Sequence, residues 1–151
     1  MSDITYDFLD WKACEATWRH QLRKELGALL SLLHGSNVFI MEEHLEAMVR
    51  SESTFILVAY DGKSAIGMGS LTFVPTLGGP EAHLGSIAVL KQYRGRGVGS
   101  TVLHRLMEKV AEKGVKDMRS TARAFDEETQ KLFGRFDFGE RTVVEFVAYS
   151  E

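Results

Sequence analysis

The stretch from Leu90 to Ser100 reads LKQYRGRGVGS and sets glycines at 95, 97 and 99 among three cations, Lys91, Arg94 and Arg96. Glycine lets a backbone approach a ligand without interference from Cβ. No acidic residue follows until Glu108, so positive charge is concentrated in an otherwise acidic chain. A β-forming run ends at Leu90 and a helical pattern begins at Val98, so this turn opens a helix. A helix start leaves backbone N–H groups unpaired and carries partial positive charge. The ligand that suits it is a phosphate or pyrophosphate. The plainer alternative is a tight turn with a solvated basic rim. The dinucleotide pattern G-x-G-x-x-G would need glycine at position 100, which is Ser100. That pattern also follows the first strand of a βαβ unit, whereas this turn follows about the fourth strand. No G-x-x-x-x-G-K-[ST] occurs, so a P-loop is not supported.

The elements that must hold this turn are legible from periodicity. Ile4 to Phe8 alternates apolar and polar residues and predicts a first strand. Asp10 can cap a helix in which Trp11, Cys14, Trp18, Leu22, Leu26, Leu29 and Leu33 recur at helical spacing, and Gly35 ends it. A second helix is expected over Met41–Arg50. Thr54 to Tyr60 is a strand, Asp61-Gly62 a hairpin turn, and Ala65 to Val74 the returning strand. Gly67 and Gly69 inside that strand point to a bulge or a close backbone neighbour. Pro75 to Pro80 is a loop and Glu81 to Leu90 the next strand. A helix over Val98–Lys113 ends at Gly114. A buried strand is expected within Val115–Thr121, a short helix over Phe125–Phe133, and a closing strand over Thr142–Tyr149. The order β-α-α-β-β-β-α-β-α-β predicts a mixed sheet with helices on its faces, an α/β or α+β domain.

At 151 residues the chain suits one domain, 1–151. A net charge of −3 argues against nucleic acid as a partner. The single cysteine, Cys14, excludes an internal disulfide and a cysteine-based metal cluster, and no metal is expected. The longest apolar run, Phe55 to Tyr60, falls far short of the ~18 residues of a membrane span. The opening Met1-Ser2-Asp3 lacks a signal-peptide pattern, so the expected location is the cytoplasm with no membrane partner. Cys14 could in principle act as a covalent nucleophile. Its place on the apolar stripe between Trp11 and Trp18 predicts a packed, unreactive thiol instead.

The spacing Arg94-x-x-Gly97-x-Gly99 resembles the [Q/R]-x-x-G-x-[G/A] motif of the GNAT superfamily of acyl-CoA-dependent N-acetyltransferases. Upstream, Ile87-Ala88-Val89 is similar to the end of the family's fourth strand. Downstream, Val98, Val102, Leu103 and Leu106 fit its following helix. Leu132-Phe133-x-x-x-Asp137-Phe138 resembles the family's L-Y-x-x-x-G-F, and the element order matches over essentially the whole chain. The resemblance implies a mixed central sheet flanked by helices and splayed between strands 4 and 5. It implies acetyl-CoA as co-substrate, with its pyrophosphate held by backbone amides from Arg94 through Gly95, Arg96, Gly97, Val98 and Gly99, and by Ser100. The pantetheine arm would run along Ile87, Ala88 and Val89. The N–H of Val89 would polarise the thioester carbonyl and stabilise the oxyanion.

The implied reaction is direct attack of an amine, which needs a proton acceptor. Several family members use a histidine on this strand, and His83 is the candidate here. It lies six residues before Val89, so period two places both on one face. An unperturbed imidazole pKa near ~6.5 suits neutral pH. Glu81 is the alternative, as base through water or as a contact for a cationic acceptor. His20, His34, His44 and His104 lack such a context. Three positions depart from the family pattern. Phe133 stands where many members carry a proton-donating tyrosine. Asp137 replaces a glycine, and Asp126 replaces a CoA-contacting asparagine.

The family's acceptor site implies residues 34–41, 75–83 and those around Arg141. Glu42, Glu43 and Glu81 favour a cationic amine and Arg141 an anionic one, so the acceptor is left as a small-molecule amine. A catalytically silent acyl-CoA sensor and a peptide or protein N-acetyltransferase are the alternatives. The single clear strand after the last helix leaves an edge that a second copy can cover, which predicts a homodimer.

Overall fold

The computed structural model describes residues 3–120, 127–136, 138–139 and 145–150. They fall into two compact units, 1–121 and 122–151.

The first unit is built on a five-stranded sheet ordered β1 (Ile4–Phe8), β2 (Thr54–Asp61), β3 (Ser64–Val74), β4 (Glu81–Val89) and β5 (Met118–Ser120). Neighbours are antiparallel as far as β4, and β5 joins β4 in parallel. Side chains alternate across the pleat, so β2 and β3 bury both faces. Ile56, Val58, Tyr60, Met68 and Ala88 form one core with Leu22, Leu26 and Leu29 of α1 (Ala16–His34) and Leu45 of α2 (Glu42–Arg50). On the other face Leu57, Ala59, Leu71 and Ile87 are buried with Val98, Val102 and Leu106 of α3 (Val98–Glu112).

The interior glycines of β3 explain how close α3 lies. A Cβ on Gly69 would come within 2.6 Å of Val102 Cγ1 and 2.9 Å of Leu106 Cδ1, and one on Gly67 within 3.1 Å of Val98 Cγ1. Bare backbone at these positions seats the helix start beside the end of β4. The nearest neighbours of Gly67 and Gly69 are therefore α3 side chains rather than backbone, and the ladder also shifts register beside each, between Ala59 and Tyr60 and between Gly69 and Leu71.

Several boundaries differ from expectation for local reasons. Asp10 does cap, accepting from Lys12 N at 3.1 Å, but the turn it starts is a short 3-10 turn, Trp11–Ala13. Cys14 and Glu15 are extended, at ψ 103° and 147°, so α1 begins only at Ala16. The hairpin turn is Gly62-Lys63 rather than Asp61-Gly62, with Gly62 at φ 64° and Asp61 still paired in β2. Gly114, at φ 70°, follows the end of α3 as predicted. β5 is only half-buried to exposed rather than buried. No helix among the described residues is long and apolar enough to cross a membrane.

The second unit holds α4 (Glu127–Arg135), in which Phe133 packs its ring against Phe138 at 5.0 Å. Of the expected closing strand, residues 145–150 form no strand and are exposed; 142–144 lie outside the described residues. Asp126, Asp137 and Arg141 lie outside them as well.

Candidate active site

The end of β4 presents its backbone in a defined direction. Leu90 N donates to Ile66 O at 2.9 Å, so Leu90 is hydrogen-bonded toward β3. Antiparallel pairing alternates. The N–H and C=O of Val89 therefore point away from β3, toward the β5 side, and those of Ile87 do likewise. Ala88, between them and paired with Met68, turns its backbone to β3. The carbonyl of Val89 is taken by Arg94 Nε at 3.2 Å, which ties the turn to the strand end. The pairing of β5 with β4 covers Ala82–Leu84, and the residues that would continue it beside Ile87–Val89 lie outside the described ones.

The turn has the geometry that its glycines suggest. A 3-10 turn, Lys91–Tyr93, leads to Arg94 in extended conformation. Gly95 and Gly97 then adopt φ of 77° and 79°, the left-handed region in which a side chain is strained. A Cβ at either would meet nothing within 4 Å among the described residues, so the demand for glycine is conformational. Gly97 is the N-cap of α3 and offers no capping side chain, so the first-turn N–H groups of Val98, Gly99 and Ser100 have no intrahelical acceptor. The guanidinium of Arg96 lies 5.2 Å from the ring centroid of Tyr93. The hydroxyl of Tyr93 donates to Asp61 Oδ2, which anchors the turn to the β2 end and holds the phenol pKa above its usual range. Uncapped amides and three cations fit a pyrophosphate group.

His83 and Glu81 lie further back on β4, and here a β-bulge overturns the expected alternation. Gly69 pairs with Ile87 and Leu71 with Leu84, so one residue of β3 faces two of β4. Counting through the bulge, His83 pairs with Thr72 and shares the face of Ala88, the α1 side. Val89 pairs with Gly67 and its side chain lies on the α3 side. The two are therefore not on one face. Gly85 sits in the bulge, where a Cβ would fall 2.0 Å from Ser70 Oγ.

The imidazole of His83 is about half exposed, and its Nε2 is 3.0 Å from Glu81 Oε2. The other Glu81 oxygen lies 3.4 Å from Arg119 Nη2 on β5. The histidine hydrogen bond, and then the Arg119 charge, hold the Glu81 carboxyl below its usual pKa. Thr72, opposite His83, lies 3.4 Å from Thr54 through their hydroxyls. This polar strip is half-buried at Thr54, Thr72 and Glu81 and exposed at His83. Arg119 escaped the sequence reading because only the parallel β4–β5 pairing places it opposite His83. The Tyr93–Asp61 anchor joins residues too far apart in sequence for any local pattern to reveal it.

Other candidates take structural places. Cys14 is 3% exposed, and burial raises its thiol pKa, the opposite of an activated nucleophile. His104 pairs with Glu108 at 2.8 Å on the surface of α3. His20, His34 and His44 lie on α1 and α2. No metal-binding group of three or more ligands occurs among the described residues.

A mixed α/β fold whose glycine-rich turn leaves a helix start uncapped defines a class of proteins suited to phosphate-bearing ligands. The particular family follows from comparison. The profile of the Acetyltransferase (GNAT) family matches residues 12–138, and the chain belongs to this family of acetyltransferases. No curated protein sequence matches. Among solved structures, the chain is similar to an aminoglycoside acetyltransferase, meta-AAC0020, from an uncultured soil metagenomic sample. The TM-score is 0.82 at 16% identity, covering 98% of this chain and 97% of that one. It is also similar to AAC(6')-Iy in complex with a bisubstrate analog, CoA-S-monomethyl-acetylneamine, with TM-score 0.75, 18% identity and 99% of each chain covered. A third is the ribosomal-protein-alanine N-acetyltransferase of Brucella melitensis biovar Abortus 2308, with TM-score 0.74 at 15% identity, covering 97% of this chain and 99% of that one. At these identities the likeness establishes the fold, a central, mostly antiparallel sheet flanked by helices.

Proposed function

We propose that the chain transfers an acetyl group from acetyl-CoA to a primary amine of a small molecule by direct attack, as a single domain over 1–151. The observation that carries this reading is the uncapped start of α3 behind Gly95 and Gly97. Bound there, acetyl-CoA supplies an acetyl group activated as a thioester. The amides from Gly95 to Ser100 bind its pyrophosphate, with Lys91, Arg94 and Arg96 adding charge. The outward backbone of Ile87 and Val89 receives the pantetheine arm, and the Val89 N–H is positioned as an oxyanion donor. His83, six residues back along β4 from Val89, accepts a proton from the incoming ammonium through a chain of water, with Glu81 fixing its ring orientation. Glu81 favours a cationic acceptor. The small-molecule acceptor is supported by the aminoglycoside acetyltransferases among the similar structures.

The test has two arms. Acetyl-CoA at a hundredfold over its Kd should stabilise the fold by about 2.7 kcal/mol, read as a rise in Tm of several degrees. Thiol release should then be followed across amines, polyamines, aminoglycosides, amino sugars and peptides. Turnover with a small amine supports the proposal, and turnover with peptides alone replaces it. A thermal shift with no turnover on any amine would assign a silent acyl-CoA sensor, the reading favoured by the absence of a hydroxyl at Phe133.

A further inference from the structure

α1 packs mainly on β3 and β4, and α2 on β2, which leaves the same face of β1 with little helical cover among the described residues. The result is an open groove of about 860 Å³ between that strand and the start of α1. That size falls within the range of small-molecule pockets. Its floor is Asp7 of β1 and Tyr60 of β2, which share a face, and its wall carries Cys14, Glu15 and Trp18.

Three features converge on one ligand chemistry. Charge comes first: Asp7, Asp10 and Glu15 line the groove against a single lining cation, Lys63. No salt bridge engages these carboxylates among the described residues, although Asp10 also caps Lys12 N. The nearby Arg19 does not line the groove; it donates to Cys14 O at 2.8 Å, lies 4.1 Å from the Trp11 ring centroid and pairs with Glu42 at 3.8 Å. The second feature is Tyr60, which is only 7% exposed and lines the groove. Its hydroxyl has no hydrogen-bond partner among the described residues and is not one of the fully buried unpaired atoms, so it reaches the open groove. Burial, followed by the influence of Cys14, Asp7 and Glu25, raises its pKa and keeps the phenol neutral. The third is the aromatic wall: the Trp18 and Tyr60 rings lie 6.0 Å apart at 37°. Aromatic faces beside carboxylates attract a desolvated cation.

We infer that this groove is a second ligand site, separate from the acetyl-transfer site, that binds a small organic ammonium ion with an aromatic or apolar body. The body lies along Trp18 and Tyr60, the ammonium faces Asp7 and Glu15, and the Tyr60 hydroxyl gains its missing partner.

The probe is benzyltrimethylammonium, which cannot be acetylated, with neutral benzyl alcohol as control. Both tryptophans of the chain, Trp11 and Trp18, lie in or beside this region, so intrinsic fluorescence reports locally. Saturable quenching by benzyltrimethylammonium but not by benzyl alcohol is expected. The Asp7→Asn/Glu15→Gln double variant changes only exposed side chains and should bind about tenfold more weakly, with the acetyl-CoA thermal shift unchanged. Tyr60→Phe should weaken binding of benzyldimethylammonium, whose single N–H can reach the hydroxyl, several-fold, and leave binding of benzyltrimethylammonium, which has no N–H, unchanged. No saturable quenching, equal affinity in the double variant, or an equal response to benzyl alcohol would overturn the inference. A dimer that dissociates in the double variant would assign the groove to a second copy and overturn it as well.

Discussion

Glu81 stands between two cationic or potentially cationic groups, His83 at 3.0 Å and Arg119 at 3.4 Å, and this decides how the candidate base is held. A carboxylate on one ring nitrogen fixes the orientation of the imidazole and leaves the other nitrogen to meet substrate through water. His83→Ala should therefore lower kcat/KM by about 10²–10⁴-fold without changing acetyl-CoA affinity. Thiol release measured between about pH 6 and 9 checks this, and parental turnover across the range removes His83 as base. Glu81 makes a separate statement about stability. Its folded-state pKa lies below the ordinary value of 4.5, so its pairing stabilises the fold above that pH and is lost as pH falls through the depressed value. The Tm of the parent should exceed that of Glu81→Gln at neutral pH, and the difference should close on acidification below 4.5. A gap that persists unchanged in acid would show that Glu81 acts through something other than its charge.

At the scale of elements, two glycines of opposite kinds separate packing from function. Gly69 is bare because α3 presses on it, whereas Gly97 is bare because its φ is 79°. Gly69→Ala should cost about 1–3 kcal/mol, roughly 2–10 °C in Tm, and leave acetyl-CoA binding intact. Gly97→Val should cost about 1–2 kcal/mol yet abolish the acetyl-CoA thermal shift. Equal shifts in the two variants would displace the ligand from the turn. Tyr93→Phe removes the tie to Asp61 and should weaken CoA binding by roughly 2–10-fold, measured by calorimetry, with little effect on turnover at saturation. The glycines were readable because a strand tolerates them only for a reason, and the turn because charge and spacing coincide within eleven residues. The bulge at Gly85 was not, since it depends on which residue of β3 stands opposite, a fact carried by register rather than by local pattern. The same blindness hid Arg119. The break of α1 at Cys14 and Glu15 escaped for another reason: the apolar period runs through it, because a 3-10 turn and an α-helix bury nearly the same stripe.

At the scale of the whole molecule, the second unit needs a source of stability beyond its own length. Residues 122–151 fall below the ~40 residues at which a chain usually folds unaided. Their described part exposes Phe146, Val147 and Tyr149, with Phe146 at 92% and Tyr149 at 89%. Apolar surface of this extent marks an interaction site more often than a solvated tail. A second copy is the partner that any chain has at hand, and a symmetric pair is the commonest way for a chain to cover such a surface. The expected outcome is a homodimer in sedimentation equilibrium, with a mass twice that of one chain across the concentration series. Phe146→Ser/Tyr149→Ser should shift the equilibrium toward monomer while the acetyl-CoA thermal shift from the first unit's turn persists. A monomer mass independent of concentration would reject the dimer, and loss of the shift in the dissociated variant would show that the CoA site needs both copies.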